Sequence, residues 1–491
     1  MHEILSRLRG LLLTIVLIST LILSFAEGDS GGLLHLASGG SEFSSVYLFL
    51  FFIISGAVAG RFVARKLKQP EVLGELLFGV IIGAVLFQLN FPEMILLRHQ
   101  QETQEATKMM VKDGISLKEA LESISTIDEK EKETLIGIAG DERFSQYDLT
   151  IKSILLFSNL GVLILLFLVG LESSIEEMMR VGGPSMSTAV TGVIVPSLLG
   201  TGISYLLLPE KSISLHLFMG AALSATSIGI TARVFRDLNK VHLPESKIVL
   251  GAAVIDDVLG LILLAVVTGI VKQGSIDALS VAAIFGKSVL FLGITLYVGS
   301  KFLRQQIKIA AILDNRNLRL LFPFALLILL AWISEAVGLS GIVGAFAAGL
   351  IVKEEYFNEA LKDKERSVKQ VIEPVESIFA PVFFVLMGIQ VDVSAFANTT
   401  VLGLALLLTI AAIFGKLVSG VFTKGLDKKV IGIGMIPRGE VGLIFAGIGK
   451  SIGVLDGNMF SSVVIIVILT TLITPPALKW AFDGYDSRNK T

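Results

Sequence analysis

Two adjacent acids, Asp256 and Asp257, sit near the middle of KIVLGAAVIDDVLGLILLAVV, an otherwise continuous apolar run. An aspartate at the centre of a bilayer-spanning helix costs roughly +2.5 to +3.5 kcal/mol on insertion scales, so acids placed there face a cavity or a partner. Neighbouring helix positions point about 100° apart, which lets one carboxylate face an ion pathway while the other faces an adjoining helix. Carboxylates this close titrate as a coupled unit. A site able to hold either protons or a monovalent cation is the minimum required to exchange one for the other.

A candidate counter-ion lies in VLGLALLLTIAAIFGKLVSGVF, where Lys416 is deep within the apolar run. Its ammonium can pair with one aspartate in the empty site and release it when a cation or proton arrives. The competing reading is a lysine snorkelling to the interface, since Lys424 is eight residues on. Two further runs are interrupted, one by Ser224-Ala225-Thr226-Ser227-Ile228-Gly229 and the other by Pro437-Arg438-Gly439-Glu440-Val441-Gly442. Helices broken at such points expose backbone carbonyls and half-helix ends, where hydroxyls such as those of Thr226 and Ser227 can replace cation hydration. Thr226 with Gly439 and Gly229 with Gly442 share an offset of 213, so the breaks occupy equivalent positions. Arg438 and Glu440 are expected to neutralise each other or a helix end. Glu172 reads as an interfacial cap, and Glu75 as either functional or structural.

The elements that must position these groups are membrane helices. The chain has 491 residues, of which 53% are hydrophobic, and a mean hydropathy of +0.78, more apolar than one soluble core requires. Runs near the roughly 20-residue crossing length recur to the C-terminus. Thirteen spans are expected near 45–64, 71–90, 150–171, 184–207, 213–236, 246–272, 279–303, 316–336, 339–353, 373–392, 399–422, 430–452 and 459–482, an all-α polytopic architecture. The joints holding Arg61 to Lys68, Arg233 to Lys240, Lys301 to Arg319, Lys353 to Lys369 and Lys424 to Lys429 are basic. The positive-inside rule makes them cytoplasmic, with the mature N-terminus outside and the C-terminus inside. Residues 1–26 carry basic residues, an apolar run and Ser24-Phe25-Ala26, the pattern of a signal peptide or a retained N-terminal helix.

Gly74 and Gly79 match Gly344 and Gly349 at an offset of 270, and Phe167 to Glu172 match Val385 to Gln390 at 218. The expected topology makes these repeats inverted, the arrangement that gives one scaffold mirror-related inward and outward states. The 52-residue difference between the offsets is close to the length of the polar stretch 97–149, which reads as an extracytoplasmic insertion between spans two and three. Capping-box starts at Ser116-x-x-Glu119 and Thr126-x-x-Glu129 predict a small helical hairpin there.

A formal net charge of -2 gives no reason to expect a nucleic-acid partner, and the absence of cysteine removes disulfides, thiolate metal sites and thiol nucleophiles. The five histidines are scattered at 2, 35, 99, 216 and 242, so neither an enzyme nor a cofactor is expected. A cation channel would call for rings of like charge rather than one acidic pair; a non-transporting sensor would work through the outer insertion.

Taken together, Pro70 to Glu75, Leu168 to Glu172, SATSIGITARVF from Ser224, Asp256-Asp257, FAPVFFVLMG from Phe379 and MIPRGEVGLIFA from Met435 resemble the Kef/Nap-type branch of bacterial cation:proton antiporters over residues 45–482. The resemblance implies a homodimer in the inner membrane and a mobile core beside a dimerisation domain, with two broken helices crossing at the acidic pair. It makes Asp257 the principal carboxylate for sodium and protons and Asp256 the partner of Lys416. Members with two acids and this lysine look like electrogenic sodium exchangers; a potassium/proton exchanger of the same fold would share these residues. The stretch 97–149 departs from the family pattern.

Overall fold

The computed structural model describes residues 43–67, 69–124, 129–172, 181–273, 278–313, 316–361, 366–390, 399–423 and 425–489. The signal-like segment 1–26 and the Thr126 capping start lie outside them. The described elements are helical. In chain order they are α1 (Ser44–Lys66), α2 (Glu71–Gln88), α3 (Pro92–Arg98), α4 (Gln100–Asp113), α5 (Leu117–Ser123), α6 (Glu129–Ala139), α7 (Phe144–Leu171) and α8 (Gly182–Leu207). Next come α9 (Ile213–Ala222), α10 (Ile228–Asp237), α11 (Pro244–Gln273), α12 (Ala278–Ile294), a π-helical turn (Thr295–Gly299), α13 (Ser300–Leu313), α14 (Leu318–Ala336) and α15 (Gly341–Ile351). The chain closes with α16 (Glu354–Leu361), α17 (Val368–Ile389), α18 (Thr399–Ser419), α19 (Lys428–Gly434), α20 (Glu440–Ser451) and α21 (Gly457–Asn489). Eight helices among the described residues are long and apolar enough to cross a membrane.

These helices form two bundles. α1, α2, α7, α14, α15 and α17 pack on one another as a scaffold, while α8, α9, α11, α18, α19, α20 and α21 form a core. The half-helix α10 belongs to the core through α11 and α21 but also lies against α2 and α7 of the scaffold, and α21 touches α2. Apolar side chains from both sides, including Val72, Leu166, Phe346 and Phe383 with Phe235 and Ile248, fill the seam.

Scaffold contacts repeat at the offsets read from sequence. A Cβ at Gly79 would run into the Val385 carbonyl and lie 2.9 Å from Gly388 Cα; one at Gly349 would run into the Phe167 carbonyl and lie 2.9 Å from Gly170 Cα. The 270-residue offset carries Gly79 to Gly349, and the 218-residue offset carries Phe167 and Gly170 to Val385 and Gly388. Gly74 against the Gly60 carbonyl is likewise repeated by Gly344 against the Leu330 carbonyl. The missing side chains let helix backbones touch, the usual device for packing where lipid removes the hydrophobic drive.

Between α2 and α7 lie four short helices, α3 to α6; the last three fall within the polar stretch 97–149, where a hairpin was expected. Ser116 caps α5 in a capping box with Glu119, as its spacing predicts. Leu121 and Leu135 join a cluster with Phe49 and Tyr147 that ties these helices to the scaffold.

Candidate cation and proton site

The two predicted breaks are real, and they meet. α9 begins at an N-cap where Ser212 Oγ accepts from the Leu215 amide, and ends at Ala222; α10 restarts at Ile228. α19 is capped by Asp427, which accepts from the Lys429 and Val430 amides, and ends at Gly434; α20 restarts at Glu440. Pro437 contributes no backbone donor, and its carbonyl accepts from the Ser227 amide at 2.8 Å. The Thr226 hydroxyl donates to the Met435 carbonyl at 3.3 Å and the Thr231 hydroxyl to the Gly434 carbonyl at 2.7 Å. A Cβ at Gly439 would lie 2.5 Å from Ser227 Oγ, so the crossing depends on that glycine. Gly229 instead faces Val162 and Phe383 of the scaffold, and Gly442 packs against Val467.

Arg438 holds this crossing together. Its guanidinium donates to the Leu223 carbonyl, where α9 ends, and to the Ile436 and Met435 carbonyls, where α19 ends, at 2.7 and 3.5 Å for the last two. Both ends are helix C-termini with partial negative charge, so one buried cation serves both. Its own amide donates to Thr470 Oγ1 at 3.3 Å, and its carbonyl accepts from Thr471. Of the two roles expected for Arg438, the structure shows the helix-end one; the Glu440 side chain lies outside the described residues.

The acidic pair is borne by α11. Asp256 is 1% exposed and Asp257 8%, so Asp257 is the more accessible carboxylate. Lys416 of α18 is fully buried, which removes the snorkelling reading, and its Nζ donates to Asp256 Oδ2 at 3.4 Å. Asp256 Oδ1 has no hydrogen-bond partner among the described residues. A Cβ at Gly192 would sit 3.3 Å from Lys416 Nζ, so α8 leaves room for the ammonium beside the acid. The Asp256 charge also reaches Arg438 electrostatically, linking the pair to the crossing.

Away from the crossing, α10 ends in a charged cluster that sequence reading did not assemble. Arg233 Nη1 donates to Glu376 Oε1 of α17 at 2.6 Å, and its guanidinium lies 3.6 Å from Glu75 and 2.9 Å from Asp237. Arg236 lies 3.3 Å from Glu376, 3.4 Å from Glu373 and 3.7 Å from Glu172. Glu75 is fully buried and also takes Arg61, while Glu172 stands at the C-cap of α7, as expected, and is paired in addition with Arg236 and Lys369. Glu376 could have been singled out as Glu75 was, as an acid in an apolar span. Its partner, 143 residues away, could not. Among the described residues no group of three or more histidines and acids could hold a metal ion.

The family described as sodium/hydrogen exchanger, transmembrane, matches residues 50–483. The chain is 36% identical to a Synechocystis protein named high-affinity Na(+)/H(+) antiporter NhaS3, over 90% of both chains. It is 34% identical to the Na(+)/H(+)-K(+) antiporter GerN of Bacillus cereus, over 91% of this chain and 99% of that one. In fold it resembles the sodium proton antiporter MjNhaP1 of Methanocaldococcus jannaschii, with a TM-score of 0.55 at 16% identity, covering 90% and 97% of the two chains.

Proposed function

The chain belongs to the sodium/hydrogen exchanger family, and on that premise we propose that it exchanges sodium, or lithium, for protons across the inner membrane by alternating access. The observation that carries this reading is the buried Asp256–Lys416 pair beside a more accessible Asp257, next to two broken helices that cross. Asp257 is the residue that binds cation and protons in turn, and their competition for it couples the two fluxes. Thr226 and Ser227 line the break with hydroxyl oxygens; the Thr226 hydrogen is committed to Met435, which leaves its oxygen lone pairs as acceptors. Asp256 trades Lys416 for the arriving ion, and the net charge moved per cycle makes exchange electrogenic. Arg438, Gly229, Gly439 and Gly442 keep the breaks in place. No enzymatic step is required.

The same reading takes the thirteen spans as two inverted repeats, the mature N-terminus outside and the C-terminus cytoplasmic, residues 1–26 as a signal or anchor segment, and two copies as the working unit. The short helices α3 to α6 then decorate the outer face. Potassium is the alternative cation, favoured by the name of the Bacillus cereus relative, which includes K(+).

The test is proton flux in proteoliposomes on addition of each cation in turn, with Asp257→Asn alongside. Sodium-driven proton movement lost in that variant supports the assignment; robust movement in it sinks the role of Asp257. A response to potassium alone selects the alternative.

A further inference from the structure

The charged cluster at the end of α10 bridges the moving and fixed bundles. Arg233, Arg236 and Asp237 come from the core side, and Glu71, Glu75, Glu172, Glu373 and Glu376 from the scaffold. Asp237 Oδ2 also accepts from the Val72 amide at the start of α2, at 3.2 Å.

The distances define a register. Arg233 stands opposite Glu376 at 2.6 Å, and Arg236 lies between Glu376 and Glu373 at 3.3 and 3.4 Å. Advancing along α10 therefore means retreating along α17, so the bases and acids form two antiparallel rows, each with one-turn spacing. Sliding α10 by one turn, about 5.4 Å, toward Lys369 would bring Arg233 to Glu373 and leave Arg236 with Glu172, from which it already lies 3.7 Å and which also holds Lys369 at 2.9 Å. The opposite slide would carry Arg236 to Glu376 but leave Arg233 without an acid on α17. One turn further up, α17 offers Phe379 and Ala380, and two turns up Phe383 and Phe384, whose ring lies 6.0 Å from Arg233. The described register is thus one limit of travel. A polar cavity of about 250 Å³ runs alongside the ladder, lined by Glu172, Arg233, Arg236, Lys369, Glu373 and Glu376, and gives the side chains room to exchange partners.

We propose that Arg233 and Arg236, with Glu376, Glu373 and Glu172, form a one-way ion-pair ladder that closes the seam in this register and steps by one turn toward Lys369 as the cation site changes sides. The inference rests on alternating access as the mode of transport. With the Lys369 end cytoplasmic, the described register faces outward and the step opens the inner side. Stepping keeps each arginine paired at both limits, so neither guanidinium is left as an uncompensated charge, while Glu376 gives up both of its partners as the seam opens; packed elements commonly switch by such one-turn shifts.

The natural chain contains no cysteine, so thiols can be placed in pairs. In each pair an arginine and an acid are removed together, keeping the charge balanced. Arg233→Cys with Glu376→Cys should cross-link through a short reagent in the resting protein. Arg233→Cys with Glu373→Cys should do so only when an imposed ion gradient drives the core inward. In the cysteine-free chain, Glu373→Gln should slow sodium-driven turnover about tenfold while leaving the half-saturating sodium concentration within about twofold, since in the described register Arg236 keeps Glu376 and Glu172, whereas in the second state Arg233 loses its acid. Cross-linking of the 233–376 pair under every gradient with none of the 233–373 pair, or normal turnover in Glu373→Gln, would overturn the ladder. Asp257→Asn run in parallel keeps the failures apart: lost exchange there with normal turnover in Glu373→Gln retires the ladder and leaves the exchanger reading standing.

Discussion

Lys416 Nζ and Asp256 Oδ2 lie 3.4 Å apart in a setting where the two side chains are 0% and 1% exposed, although 160 residues separate them in the chain. The pair joins α11 to α18 inside the core. An isolated charge at either position would be buried without compensation, so removing one partner should cost about 3–5 kcal/mol.

The first prediction follows directly. Asp256→Asn and Lys416→Gln should each lower the thermal unfolding temperature of the purified protein, and the double variant should lose much less than the sum of the two. Strictly additive losses would show that the two groups do not depend on each other. On a supported membrane, Lys416→Gln should also reduce the sodium-driven current, and an unchanged current would remove the lysine from the charge-moving step.

Arg438 is predicted to matter through carbonyls rather than through an acid. Without it the Leu223 and Ile436 oxygens at two helix ends lose this donor, while Met435 keeps Thr226, and each buried polar group left bare costs about 1–3 kcal/mol. Arg438→Gln should therefore destabilise strongly. Arg438→Lys should be intermediate, because a point ammonium keeps the charge but not the fork. A lysine variant as unstable as the glutamine variant would mean that guanidinium geometry, not charge, holds the crossing.

What sequence made legible here was anything that violated its surroundings. Asp256 and Asp257 stood out as acids in an apolar run, and the breaks at Thr226 and Gly439 as small or polar residues where helix was expected. Glycines carried the internal match in the sequence, and close helix approach needs that residue type at the Gly79–Gly388 and Gly349–Gly170 contacts. Partner choice was a different matter. That Arg438 would bond a backbone oxygen 215 residues away depends on how the two broken helices cross, and that Arg233 would sit between Glu376 and Glu75 on how two bundles meet; a local pattern encodes neither. Likewise, charge and capping signals announced helices in 97–149 but not how many, because chain reversals there are set by burial of Leu121 and Leu135 against the scaffold.

The repeated glycine contacts make a paired prediction. Alanine at Gly79 or at Gly349 would force a methyl into a facing carbonyl in the same way, so both substitutions should destabilise by a similar amount, about 1–3 kcal/mol. Gly202, where nothing lies within 4 Å of an added Cβ, should accept alanine. Thermal unfolding of the three variants checks this, and a tolerant Gly349→Ala beside a damaging Gly79→Ala would break the structural equivalence.

A pH dependence is expected outside the spans, at Glu93 of α3. Its side chain is buried, and Oε2 has no hydrogen-bond partner among the described residues. Burial pushes the carboxyl up from 4.5 to about 7, against a smaller opposing pull from Arg143. The folded state thus holds a proton that the unfolded state releases at lower pH, so the stabilisation is full below about 4.5 and fades as pH rises to about 7. That difference corresponds to at most about 3 kcal/mol. Hydrogen exchange of residues 92–139 should therefore quicken between pH 5 and about 7.5, and Glu93→Gln, which stays neutral, should flatten the profile and protect these helices at the higher pH. Wild-type protection that stays level across this range, after correction for intrinsic exchange, would show that Glu93 does not govern the fold of α3 to α6.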